Sequence, residues 1–283
     1  MASNAAKVEL GALTGERSPA QLTLAGASPP VLGLHGFGGT PFEVEGVIEA
    51  ARRSGLAALC PLLPGHGKRS ARALSVMRYS DWFSAAEQAL LSLGEPAVIA
   101  GFSMGSLLAM ELAIRYPERV LGLVLMGNAA WLKQPFPGLA LSLAERLRLP
   151  DFMLRKRGPD IGDALARADH VSYNAHPVHA AIEVRRAGER LREELGKITC
   201  PTLVLHGAKD RVCPVENAWR VAERLGTEDC RVVVFPRSRH VLMRDFERAA
   251  VREEIARFLR RWAPAGAEAE PENPAAPQTP VEP

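Results

Sequence analysis

The chain has 283 residues, 47% of them apolar and 24% charged, with a formal net charge of +3. That length suits one large α/β domain with a substantial core or two small domains, and the charge is too slight to point to nucleic acid as a partner. No stretch reaches about 18 consecutive apolar residues, so the sequence offers no membrane span.

In chain order, the first segment lacks a basic region followed by an apolar one, so no secretory leader is read and a cytoplasmic location is expected. Two short strand-like runs, 8–12 and 21–25, flank "LTGERSP", whose Gly and Pro favour a turn. An antiparallel pair at a sheet edge is expected there. Apolar runs then alternate with helical patterns. "VLGLH" (31–35) precedes a loop and a helix to about Ser54, and "LAALCPL" (56–62) precedes the helical "YSDWFSAAEQALLSL". "AVIAG" (97–101) precedes a helix that begins after Gly105, and "VLGLVLMG" (120–127), "PTLVLHG" (201–207) and "RVVVF" (231–235) follow. Short Val-, Ile- and Leu-rich runs, apolar on both faces and separated by helices, predict an α/β fold with a mostly parallel sheet flanked by helices.

Between 131 and 198 the alternation gives way to a Leu-, Arg- and Pro-rich helical pattern without a clear strand. This is expected to be a helical cap inserted in the core, with 1–130 and 199–263 as the two parts of that core. Residues 264–283 hold six prolines, four glutamates and no basic residue, a composition that predicts a disordered tail. Without it the folded part carries 35 basic and 28 acidic residues. Cys60, Cys200, Cys213 and Cys230 lack paired-ligand spacing and read as reduced thiols.

Ligands of such sheets bind beyond the carboxyl ends of the strands, so the residues just after each apolar run matter most. After 97–101 comes Gly101-Phe102-Ser103-Met104-Gly105, which fits G-x-S-x-G. After 201–207 comes Asp210, and after 231–235 comes "PRSRH", ending in His240. Ser, Asp and His in that order are what nucleophilic acyl transfer needs. A serine hydroxyl attacks only if a base takes its proton, His240 would be that base, and Asp210 would orient and stabilise the imidazole. Glycines on both sides of Ser103 allow a strained turn packed closely between strand and helix. The backbone N–H of Met104, with that of Phe37 in "HGFGG" after the first parallel run, would hold the oxyanion.

Other candidates read more blandly. His35 is expected to bond to nearby loop backbone, His66 to sit in a turn, Asp245 to cap the last helix and Cys213 to pack. His170, His176 and His179 lie in the cap region. The last two could share a helix face, but no third ligand follows at metal spacing, so no metal site is assigned.

Residues 31–262 resemble the α/β-hydrolase superfamily, and within it bacterial carboxylesterases and monoacylglycerol lipases. The resemblance rests on "HGFGGTPFEVE", "PLLPGHG", "GFSMGS", "CPTLVLHGAKDRVCP" and "RSRHVLMRDFERAAVREEIARFL". It implies the α/β-hydrolase fold and a serine esterase acting on a small-molecule carboxylic ester. Ser103, Asp210 and His240 would be its triad, Phe37 and Met104 its oxyanion donors, and no cofactor or metal would be required. One departure is Ser106, where many such proteins carry a second glycine. In the cap region Leu139, Leu143 and Leu147 recur at helical spacing near Trp131, Phe136 and Phe152. An aliphatic surface over the site would favour short to medium acyl chains, monoacylglycerols among them. The same triad would serve a thioesterase or a C–C bond hydrolase. A non-catalytic ligand-binding protein on this fold is the alternative of another class, and it has no physical need of the strained turn.

Overall fold

The computed structural model describes residues 13–14, 20–133, 152–156 and 158–264. Strands β2 (Leu22–Leu24), β3 (Ala27–Leu34), β4 (Leu56–Cys60), β5 (Ala97–Phe102), β6 (Val120–Met126), β10 (Thr202–Gly207) and β11 (Cys230–Phe235) form one sheet. Their order across it is β11-β10-β6-β5-β3-β4-β2. All pairs are parallel except β2 with β4. Every residue of β5 and β10 is buried, because helices cover both faces and leave no side of these strands to water. The six apolar runs expected as strands all lie in this sheet.

Helices α2 (Tyr79–Ser92) and α3 (Met104–Arg115) lie on one face, packed around Trp82, Leu90, Leu107 and Leu112. Helix α1 (Glu45–Arg53) packs on the other, where Val47 and Ile48 share a core with Val251 and Ile255 of the C-terminal helix (Arg248–Leu259). Each large aliphatic side chain so buried contributes about 1.5–3 kcal/mol. Helix α3 is buried almost all round, Met104 through Ala113, which fits a sequence with scarcely a polar face. Among the described residues no helix is long and apolar enough to cross a membrane.

The edge differs from expectation. Residues 8–12 lie outside the described residues, and the 21–25 run forms β2 but pairs with β4, Leu22 opposite Cys60 and Leu24 opposite Ala58. A turn signal fixes only that the chain reverses. The unpaired edge of β4 offers β2 a ladder, and its leucines pack against the α1 face of the core.

The insertion between β6 and β10 holds helices α4 (Ala164–Ala168) and α5 (Val178–Leu191), with α6 (Asn217–Ala222) and the C-terminal α7 (Arg248–Leu259) following in the core. It also holds strands that the sequence did not signal. β7 (Met153–Arg155) pairs antiparallel with β9 (Ala175–Pro177), and β8 (Ser172–Tyr173) with β1 (Leu13–Thr14). Strands this short leave no period to read. Residues 134–151, which include Phe136, Leu139, Leu143 and Leu147, and residues 265–283 of the expected tail lie outside the described residues.

Candidate active site

The chain leaves β3 toward β4 on one side and returns past β3 to place β5 on the other. The crevice at that reversal is where loops beyond the strand ends can part around a ligand. Ser103 stands there, on the turn from β5 into α3. It has φ 53° and ψ −116°, and among the described residues it is the one non-glycine with positive φ. The two flanking glycines are required by space. A Cβ on Gly101 would lie 2.3 Å from the Gly105 carbonyl oxygen, and one on Gly105 would lie 2.1 Å from that of Leu34.

Hydrogen bonds hold the turn. Ser103 N–H donates to the Met126 carbonyl at 2.9 Å, and the Ser103 carbonyl accepts the Ser106 N–H at 2.9 Å and the Ser106 hydroxyl at 2.6 Å. The same hydroxyl accepts the Ala129 N–H at 3.3 Å. Ser106 therefore ties the serine backbone to the chain leaving β6, a link that a glycine would not make.

His240, just past β11, lies with Nε2 2.9 Å from Ser103 Oγ and Nδ1 2.7 Å from Asp210 Oδ2. Asp210, just past β10, is fixed by the N–H groups of Val212 and Cys213, which donate to Oδ1 at 2.7 and 2.8 Å. Burial would raise the Asp210 carboxyl, but the charge of His240 and the nearness of both His206 and His240 outweigh it and hold it well below the ordinary carboxylate value. Burial opposes charging His240. The Asp210 carboxylate, helped by Asp160 and Glu43, overrides it and holds the imidazole above its ordinary pKa. The buried Cys213 thiol is pushed up by desolvation and by Asp210, so it stays protonated and packs, as expected.

The loop after β3 is braced by two neutral imidazoles. His66 Nε2 accepts the Gly38 N–H at 3.0 Å while Nδ1 meets the Pro64 carbonyl, and His35 Nε2 accepts the Leu63 N–H at 3.1 Å while Nδ1 meets the Gly36 carbonyl. Desolvation lowers both pKa values. The buried Glu43 accepts the Gly36 N–H at 3.0 Å and faces His170 at 3.4 Å. The N–H groups on either side of Phe37 are thus committed, to Glu43 and to His66.

Several site residues had no sequence signal. Asp160, from the insertion, accepts the N–H of Arg211 at 2.8 Å and of His240 at 3.2 Å, joining the loops that carry Asp210 and His240. Asp245 does not cap the last helix, whose N-cap is Glu247. Its buried carboxylate instead accepts the N–H groups of Gly162 and Asp163 in the insertion and of Arg239 beside His240. Its place before a helix suggested a cap, but folding brings it donors from the insertion and from the loop before His240. His206 in β10 was not singled out, yet Nε2 lies 3.1 Å from Asp210 Oδ2, off the hydrogen-bond line. His176 sits in β9 and His179 in α5, so the two do not share a helix face.

A cavity of about 400 Å³ opens at Ser103 and His240. Its lining mixes apolar side chains, Phe37, Leu132, Leu154, Val184 and Val212 among them, with the polar Glu43, Lys156, His170 and His176. Trp131 and Phe152, which flank the aliphatic pattern of the cap region in the sequence, are not among its lining residues. Trp131 packs under the guanidinium groups of Arg192, Arg220 and Arg224, and Phe152 is exposed.

An elbow serine at a sheet reversal, with an imidazole and a carboxylate from the next two strand ends, defines the α/β-hydrolase class. A family model described as serine aminopeptidase, S33, matches residues 27–247, and the chain belongs to that family of α/β-hydrolases. It is 25% identical over 238 residues to a thermostable monoacylglycerol lipase of Bacillus sp. strain H-257, covering 82% of this chain and 91% of that one. It is 33% identical to a pimeloyl-[acyl-carrier protein] methyl ester esterase of Aromatoleum aromaticum, covering 73% and 89%. A solved structure from work on LipS and LipT, two metagenome-derived lipolytic enzymes, superposes with a TM-score of 0.79 at 24% identity, covering 88% of this chain and all of that one. The protein is an enzyme of the carboxylesterase and monoacylglycerol lipase-like kind.

Proposed function

We propose that the protein cleaves carboxylic esters through an acyl-enzyme on Ser103, with His240 as base and acid, Asp210 as its orienting carboxylate, and the N–H groups of Phe37 and Met104 as oxyanion donors. The observation that carries this reading is the His240 ring held between Ser103 Oγ at 2.9 Å and Asp210 Oδ2 at 2.7 Å. As Oγ attacks the ester carbonyl carbon, Nε2 takes its proton and the carbonyl electron pair moves onto oxygen. Collapse of that oxyanion breaks the ester C–O bond, and the leaving alcohol takes the proton from Nε2. Water, deprotonated by the same nitrogen, then cleaves the acyl-enzyme and restores Ser103.

The substrate reading is a short to medium acyl ester, monoacylglycerols included. Supporting it are a cavity lined by apolar and polar side chains, of a size typical for small-molecule sites, and the ester and monoacylglycerol substrates in the relatives' names. Hydrolysis of p-nitrophenyl esters from acetate to palmitate, with Ser103→Ala alongside, tests both parts. We expect a maximum at one chain length and a loss of about 10⁴-fold or more in the variant. Full activity in Ser103→Ala, or no ester turned over, would overturn the reading.

A further inference from the structure

The cavity at Ser103 is lined by Lys133, Arg155, Lys156 and Arg211 against two carboxylates, Glu43 and Asp160. Both carboxylates are engaged within the protein. Glu43 takes the Gly36 N–H and faces His170, and Asp160 takes the N–H groups of Arg211 and His240. Lys133 Nζ donates to the Asp210 carbonyl at 2.6 Å. Lys156 differs. Its N–H extends the β7–β9 ladder to the Asn174 carbonyl at 2.8 Å, but among the described residues its ammonium has no ion pair or hydrogen bond.

Position explains where that ammonium goes. Side chains alternate along a strand, so Lys156 leaves the same face as Leu154, which pairs with His176 across the ladder. Leu154, Lys156 and His176 all line the cavity. Among the described residues the buried His176 Nδ1 atom has no hydrogen-bond partner. Desolvation lowers the Lys156 pKa, and Glu43 acts on it only through its field. A cation partly removed from water and lacking a contact partner is costly until an anion meets it.

We propose that the part of the cavity lined by Lys156 and His176 is a subsite for an anionic group, carboxylate or phosphate, which the substrate carries away from its scissile ester, with the Lys156 ammonium as its ion partner and His176 beside it. The proposal rests on the ester-hydrolase reading above and sharpens its substrate class. An ester with such a group at one end spans the cavity, its reacting carbonyl at Ser103 and its charge at Lys156. Glu43, already engaged by the oxyanion loop, keeps the wall from being wholly cationic and so disfavours a second negative charge.

The test uses two matched substrate pairs with the full chain. Methyl hexanoate is compared with monomethyl adipate, which places a carboxylate at the acyl end. Monooctanoylglycerol is compared with octanoylglycerol phosphate, which places a phosphate at the alcohol end. In the wild type we expect kcat/KM to favour the anionic member of one pair, and which pair it is identifies both the group and the end. Lys156→Met should lower kcat/KM for that member by about tenfold or more relative to its neutral counterpart, mainly through KM. Lys156→Arg should keep most of the preference. Neutral-ester turnover also reports that the variant has folded. A wild type that prefers the neutral member of both pairs, or a Lys156→Met variant that loses both members equally, would overturn the subsite while leaving the ester reading intact. Failure of the wild type on every neutral ester would instead strike the ester reading.

Discussion

Ser103 is held at φ 53°, where a β-carbon is strained and glycine is not. Ser103→Gly and Ser103→Ala should therefore both abolish turnover, while the glycine variant unfolds later, by about 1 kcal/mol in a denaturant titration. Protonation of His240 is the next consequence. Burial opposes its charging but the Asp210 carboxylate holds it above the ordinary histidine value, and only the neutral ring accepts the Ser103 proton, so kcat/KM should fall as pH drops through a value above that of free histidine. Asp210→Asn removes the main cause of the rise and leaves burial, which acts the other way. The acid limb of the profile should then move to lower pH while kcat drops by about 10⁴-fold. Ser103, Asp210 and His240 were legible because each directly follows an apolar run and the residue types fit one reaction. His206 and Asp160 were not, since a lone histidine in a buried strand and a lone acid in a loop carry no pattern. Their roles arise from chain segments that meet only after folding.

Elements decide how firmly those residues are held. The approach of β3 to the start of α3 leaves no room at Gly105, so Gly105→Ala should cost about 2 kcal/mol or more in stability and should disturb the Met104 N–H as well, visible as a lower Tm together with a lower kcat. Asp160 links the loops after β10 and β11 through two N–H groups. Asp160→Ala removes the single oxygen that accepts both and should lower kcat by roughly ten- to a hundredfold with KM little changed, whereas Asp160→Asn, which keeps an acceptor oxygen, should retain more activity. The parallel strands and covering helices were readable because their periods run over many residues. The partner of β2 and the β7–β9 pair were not. The first depends on which sheet edge lies open, and the second is too short for alternation to register.

Across the whole molecule, the family match over 27–247 spans both parts of the sheet and the segment inserted between them. The Pro- and Glu-rich composition of 264–283 predicts that a chain ending at Ala263 will keep its ester turnover and Tm, which a truncation assayed on the same p-nitrophenyl series would check. The inserted segment is not separable in that way. Asp160, Gly162 and Asp163 are bonded to Arg211, His240 and Asp245, so the segment that walls the cavity also fixes the posture of His240 and of the loop that carries Asp210. An engineer who swaps in the corresponding segment of another hydrolase to change substrate range would therefore be exchanging part of the catalytic support as well. The graft would need to bring its own carboxylate to the place of Asp160 and its own pair of backbone donors to Asp245, or the chimera would gain a new pocket and lose the set of His240 against Ser103.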